Sequence, residues 1–81
     1  MRVTVRLFAR LRDIAHAGEL IRDVPPPGSV KTVWTALVHE FPEMAAYERS
    51  ISAAVNAEYA RMESGVADGD EVAFLPPVSG G

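Results

Sequence analysis

The 81-residue chain predicts an α+β fold, a mixed sheet with one main helix packed across it and a protruding C-terminal tail. Three observations carry this. Apolar residues alternate with polar ones near both chain ends, the period of a half-buried strand. One central segment repeats its apolar residues at helical spacing. The order strand, strand, long helix, then strands lets that helix cover one sheet face.

Taken in order, Val3, Val5 and Leu7 alternate with Arg2, Thr4 and Arg6. The same parity turns Phe8 outward with Thr4 and Arg6. Residues 9–18, ARLRDIAHAG, hold Leu11, Ile14 and Ala15 at helical spacing and predict a short helical turn closing on Gly18. Residues 19–24 read as a second strand. Pro25-Pro26-Pro27-Gly28 stops any regular element, and Ser29 is the expected N-cap of the next one. Val30, Val33, Trp34, Leu37, Val38 and Phe41 then recur at i, i+3, i+4, i+7, i+8 and i+11, the clearest helix in the chain, ended by Pro42. Residues 43–49 read as a further short turn. Ile51, Ala53 and Val55 mark a third strand, and residues 59–62 a short fourth. Residues 65–70 are turn chemistry around Asp68-Gly69-Asp70. Residues 71–75 close as a strand, with Val72 and Phe74 on one side and Ala73 and Leu75 on the other. The first and last strands are hydrophobic enough to be central. Two central parallel strands from opposite chain ends, crossed by one helix, describe the β-grasp arrangement of ubiquitin. The expected division is a domain over residues 1–75 and a tail over 76–81.

The length allows one domain, and hydrophobic residues at 48% suffice for one core. The chain has no cysteine, which removes disulfides, a thiolate nucleophile and sulfur-ligated metal from consideration. Arginines interrupt MRVTVRLFARLRD every few positions, so no signal-peptide core or membrane span is expected there, and the expected compartment is the cytoplasm. The net charge of −3 without a basic face argues against a nucleic-acid partner.

The tail, FLPPVSGG, is the most informative stretch. Pro76 and Pro77 cannot extend a sheet ladder. They favour an extended conformation that projects the chain away from the body. Val78 and Ser79 carry the exit further, and Gly80 and Gly81 lack β-carbons, so a narrow slot in a partner enzyme can close around them. The reactive group is then the main-chain carboxylate of Gly81. Adenylation with ATP would turn it into a mixed anhydride open to attack by sulfide, a persulfide or an amine. The competing reading is a frayed terminus.

Parity also places Phe8 and Leu75 outward on the sheet face opposite the helix, with Tyr59 joining them if the fourth strand keeps register. Such a cluster reads as a docking surface; a register shift of one would bury it instead. Asp68, Asp70 and Glu71 resemble the start of a calcium loop but lack the closing glutamate, so a turn is expected. His16 and His39 have no partners at metal-ligand spacing, and no metal site is expected. Ser29 and Ser79 have no base beside them. Arg6, Arg10 and Arg12 could bind an anion or an acidic partner, although a solvated face is the preferred reading; Trp34 and Met62 read as core. No side-chain constellation supports catalysis, which favours a carrier or interaction module.

Residues 68–81, DGDEVAFLPPVSGG, closely resemble the C-terminus of the small subunit of molybdopterin synthase, the MoaD family. VRLFARLRD at 5–13 is similar to that family's first strand and following turn, and AAVN at 53–56 to its third strand. The resemblance implies a ubiquitin-like β-grasp fold and a sulfur-carrier role, with no cofactor bound by the chain itself. By the same resemblance Gly81 is adenylated by a MoeB-like activating enzyme using ATP and magnesium. It then becomes a thiocarboxylate with sulfur from a donor protein. The tail, through Pro77, Val78, Ser79 and Gly80, enters a MoaE-like large subunit of a heterotetramer, where sulfur passes to cyclic pyranopterin monophosphate. Phe8, Tyr59 and Leu75 fall at the family's apolar contacts to these partners, although Tyr59 departs in residue type. Arg12 matches a basic position to which no chemistry is assigned. Alternatives are a carrier for thiamine, cysteine or transfer-RNA thiolation, a protein modifier in which Lys31 is the sole lysine, and a binding module with an inert tail.

Overall fold

The computed structural model describes residues 1–77. Strand β1 (Arg2–Leu7) runs through the centre of the sheet with Val3, Val5 and Leu7 buried. Helix α1 (Ala9–Ala15) follows, then β2 (Glu19–Asp23), β3 (Gly28–Ser29) and α2 (Val30–Glu40). A 3₁₀ helix at Pro42–Tyr47 leads into β4 (Ser52–Val55), β5 (Glu58–Ala60), β6 (Gly65–Val66) and β7 (Glu71–Leu75). The main sheet has the order β2-β1-β7-β4-β5, and β3 and β6 form a separate two-stranded pair. β7 lies parallel to β1, from Thr4 opposite Glu71 to Leu7 opposite Phe74. A parallel pair cannot be closed by a hairpin, so the whole intervening chain is the crossover. α2 packs across it, giving the expected β-grasp architecture.

The core follows the two periods in the sequence. Val3, Val5, Leu7, Val72 and Phe74 point inward from the central strands, and Val30, Val33, Trp34 and Leu37 meet them from α2. The rings of Trp34 and Phe74 lie 5.1 Å apart at 52°, a tilted aromatic pair joining helix to sheet. Trp34 Nε1 is buried without an acceptor. That lowers the indole's net contribution by about 1–3 kcal/mol.

α2 begins as expected. Ser29 Oγ accepts the Thr32 N–H at 3.2 Å and Thr32 Oγ1 accepts the Ser29 N–H at 3.1 Å, a reciprocal cap. Two further N–H groups at this end, of Val30 and Lys31, donate to the carbonyls of Ser64 and Met62, each at 2.9 Å. The distant loop therefore satisfies donors that a helix N-terminus leaves free. The helix stops at Phe41 (φ −127°, ψ 81°), pushed out of helical geometry by Pro42.

Several expectations are corrected. Gly28–Ser29 is more than a stop before a cap, and 65–70 is more than a turn, because the two segments pair as β3 and β6. The fourth strand lies at Glu58–Ala60 rather than 59–62. Asn56 and Ala57, at φ 50° and 71°, make a two-residue turn that starts the return strand at once. Beyond Ala60 the chain is drawn off, as the Arg61 N–H donates to Ser64 Oγ at 3.0 Å. α1 closes on left-handed His16 (φ 58°) rather than Gly18, whose carbonyl is already bonded to the Leu7 N–H at 2.9 Å. Met62 is half-buried at the rim of the core.

Candidate functional site at the root of the tail

β7 is central in the sheet and delivers Leu75, half-buried, to Pro76 and then exposed Pro77. The tail positions Val78, Ser79, Gly80 and Gly81 lie outside the described residues. What the structure defines is the surface from which they depart.

Phe8, Tyr59 and Leu75 line one groove on the sheet face opposite α2. Strand parity puts them there. Leu7 points into the core, so Phe8 points out, and Ala9 (φ 52°) turns the chain into α1 behind it. Ala54 pairs with Tyr59 on one side and with Ala73 on the other, and Leu75 lies two residues beyond Ala73 on the same face. Ala54, Ala57 and Ala73 form a shallow floor between the larger side chains. Phe8 is 39% exposed and Tyr59 85% exposed, much apolar surface for a domain of this size. Arg6 closes one end of the groove, 3.6 Å from Glu71 and 3.9 Å from Glu19. These pairs are solvent-exposed and contribute little to stability; they keep an arginine on β1 neutralised beside the apolar surface.

A second groove lies across the ridge made by Phe8 and Leu75, lined by Ala9, Arg10, Tyr47, Pro76 and Pro77. The sequence reading did not assign Arg10 or Tyr47 to the tail. Tyr47 closes the 3₁₀ segment, where no periodicity marked a face, and only the tertiary fold brings it beside residues 75–77.

The other residues singled out from the sequence have structural roles or stand apart. Asp68 Oδ1 accepts the Arg2 N–H at 2.6 Å. Asp70 accepts Asn56 Nδ2 at 3.0 Å and the Ala67 N–H at 2.8 Å, and these bonds, Asn56's first, hold its carboxyl below the usual carboxylate range. Asn56 in turn accepts the Glu71 N–H at 3.0 Å. The acidic run is thus a turn clamped to the β4–β5 hairpin. Among the described residues no group of three or more His, Cys, Asp or Glu is placed to hold a metal ion. His16 caps α1 and His39 is exposed. Arg12 lays its stem beside Gly18. Ser29 Oγ is engaged in the helix cap. No described helix is long and apolar enough to cross a membrane. The arrangement is an exposed apolar groove beside the end of the last described strand, the kind of surface that suits a partner.

One floor residue of the first groove is strained. Ala57 holds φ 71°, a left-handed position where hairpins of this length favour glycine. Ala57→Gly is expected to stabilise the domain by about 0.5–1 kcal/mol, after the greater freedom of unfolded glycine is allowed for. A raised urea midpoint with unchanged slope would show it; a lowered midpoint would mean the turn does not strain alanine.

Residues 5–81 match the ThiS family. The chain belongs to the ThiS family. Among relatives of this ThiS-family chain, the Molybdopterin synthase sulfur carrier subunit of Arabidopsis thaliana is 32% identical, covering 98% of this chain and 82% of its own length. In structure the chain is similar to SAMP1, small archaeal modifier protein 1, of Haloferax volcanii. The TM-score is 0.86, with 31% identity over 100% of both chains. A chain of the Helicobacter pylori complex of subunits 1 and 2 of molybdopterin-converting factor shares the fold, with TM-score 0.69 and 24% identity over 100% of both chains. The ThiS match takes in every residue lining the two grooves and continues to residue 81.

Proposed function

We propose that this chain is the sulfur-carrying small subunit of a molybdopterin synthase and that its reactive group is the Gly81 carboxylate. The observation that carries the reading is the likeness over 98–100% of the chain to curated molybdopterin synthase sulfur carrier subunits, with the family match running to residue 81. The body supplies docking; the catalytic side chains belong to partners. In the proposed cycle the Gly81 carboxylate attacks the α-phosphorus of ATP, held with magnesium by a MoeB-like enzyme, and pyrophosphate leaves. Sulfur from a donor, written as hydrosulfide, attacks the acyl carbon and displaces AMP. The resulting thiocarboxylate enters a MoaE-like large subunit, where its sulfur bonds to cyclic pyranopterin monophosphate and water cleaves the acyl–sulfur bond, restoring the Gly81 carboxylate. Pro77, Val78, Ser79 and Gly80 thread that site. The proposed setting is the cytoplasm, where ATP is available.

The test is intact mass after incubation with ATP, magnesium, a sulfide source and a MoeB-like enzyme. The expected result is exchange of one oxygen for one sulfur, abolished by deletion of Gly81. Unchanged mass, with an activating enzyme proven on another carrier, would overturn the reading. A second reading, conjugation of Gly81 to lysines of other proteins, is favoured by the likeness to SAMP1. It predicts isopeptide-linked remnants on target proteins in cells, lost with the same deletion.

A further inference from the structure

We propose that the second groove, between Tyr47 and the tail root, forms part of the interface with the tail-accepting subunit. We infer that it receives a segment bearing a carboxylate beside an apolar side chain, with the carboxylate placed on Arg10. The inference rests on the carrier reading above and adds a contact that reading does not include.

The first argument is charge. Arg2 faces Asp23 at 3.9 Å, Arg6 faces Glu19 and Glu71, and Arg22 grips Glu40 through two bonds of 2.6 and 2.8 Å. Arg10, like Arg12, Lys31, Arg49 and Arg61, has no carboxylate partner among the described residues, and of these it alone lines the second groove. The residues lining its groove include one cation and no acid, on a chain of net charge −3. An isolated guanidinium on an apolar floor gains most from an incoming carboxylate, because covering the floor removes the water that screens the pair. The geometry of guanidinium also suits two-point binding of a carboxylate.

The second argument is continuity. Phe8 and Leu75 line both grooves, and Pro76 and Pro77 wall the second. A partner that covers the Phe8–Tyr59 groove and takes the tail from Pro77 must pass over the ridge, and the next surface it meets is this one. The wall is already set. The Tyr47 carbonyl accepts the N–H groups of Ser50 and Ile51, each at 3.0 Å, and Ser50 Oγ at 3.2 Å. Across the groove, Ala9 and Arg10 open α1, which is anchored by fully buried Leu11. A tyrosine on a tethered backbone, lining the same groove as an arginine, has the composition of an interface hot spot.

The experiment titrates the purified chain into a purified molybdopterin synthase large subunit by calorimetry at low and physiological salt, using wild type, Arg10→Gln, Arg10→Glu and Tyr47→Ala. The expected result is about tenfold weaker binding for Arg10→Gln, greater loss for Arg10→Glu, and a shallower salt dependence than wild type for Arg10→Gln. Thermal melting of the Arg10 variants should match wild type, since the side chain is exposed. Wild-type affinity and salt dependence in both Arg10 variants would overturn the inference while leaving the carrier reading intact. Absence of wild-type binding, together with no sulfur acquired by Gly81, would remove both. A self-association of the free chain that Arg10→Glu dissolves would assign the groove to a second copy and overturn the proposal.

Discussion

Phe74→Ala is expected to destabilise the domain by about 3–5 kcal/mol. Phe74 is fully buried on β7, flanked by β1 and β4, with its ring against Trp34 at 5.1 Å. Strands on both sides fix the backbone, so the site cannot collapse into the space left behind. The truncation loses the ring's burial and strips contacts from Trp34, whose unpartnered Nε1 already limits its contribution. A domain of this size has about 4–12 kcal/mol of stability in total, so this one change removes a large share. Urea unfolding followed by Trp34 fluorescence would measure it. A loss below about 1 kcal/mol would show that the helix–sheet contact is not the centre of the core. The tail leaves from this strand, so the variant should also present residues 76–81 less well to an activating enzyme.

Phe8→Asp is expected to do the opposite, leaving the fold intact and removing partner binding. Phe8 stands where the two grooves meet. It contributes to both grooves, and its carbonyl still accepts the Leu11 N–H at 3.1 Å whatever its side chain. An aromatic at the centre of an interface commonly accounts for 2 kcal/mol or more, about thirty-fold in affinity, and the aspartate adds a buried, unpaired charge. Calorimetry against a molybdopterin synthase large subunit, with melting of the free chain as control, separates the two effects. Binding within a few-fold of wild type would remove the sheet face from the carrier's interface. Retained binding combined with a tail that still acquires sulfur would place recognition elsewhere on the molecule. Lost folding would instead mean that Phe8 supports the core from outside.

Much of the architecture was legible because its encoding is local. Alternation of Val3, Val5 and Leu7 fixes which side of β1 is buried, and therefore that Phe8 faces out. The spacing of Val30, Val33, Trp34 and Leu37 defines the buried stripe of α2 before any partner is known, and Ser29 and Pro42 bracket it. The Val72–Phe74 parity placed Leu75 on the sheet face it shares with Phe8 and Tyr59. Tyr59 reached that face although its strand begins one residue earlier than expected, because the hairpin keeps Ala54 opposite Tyr59. That Pro76 and Pro77 end the last strand was legible too, since proline cannot extend a ladder wherever it stands.

Other features depended on contacts between residues far apart in the chain. β3 and β6 are two residues each, too short to show a period, and they exist because closure of the fold brings Gly28 beside Val66. The choice of His16 over Gly18 to end α1 follows from Gly18 being already bonded to Leu7. The Asp68–Asp70 turn gained its role from Arg2 and Asn56, at separations of 66 and 14 residues. Arg10 and Tyr47 belong to the same class. By itself the sequence determined the faces of β1, α2 and β7 and the character of the chain end, because side-chain period and backbone restriction act within a few residues. Only the tertiary structure decided what stands next to Leu75, Pro76 and Pro77, because such neighbours exist once loop closure has brought distant segments together.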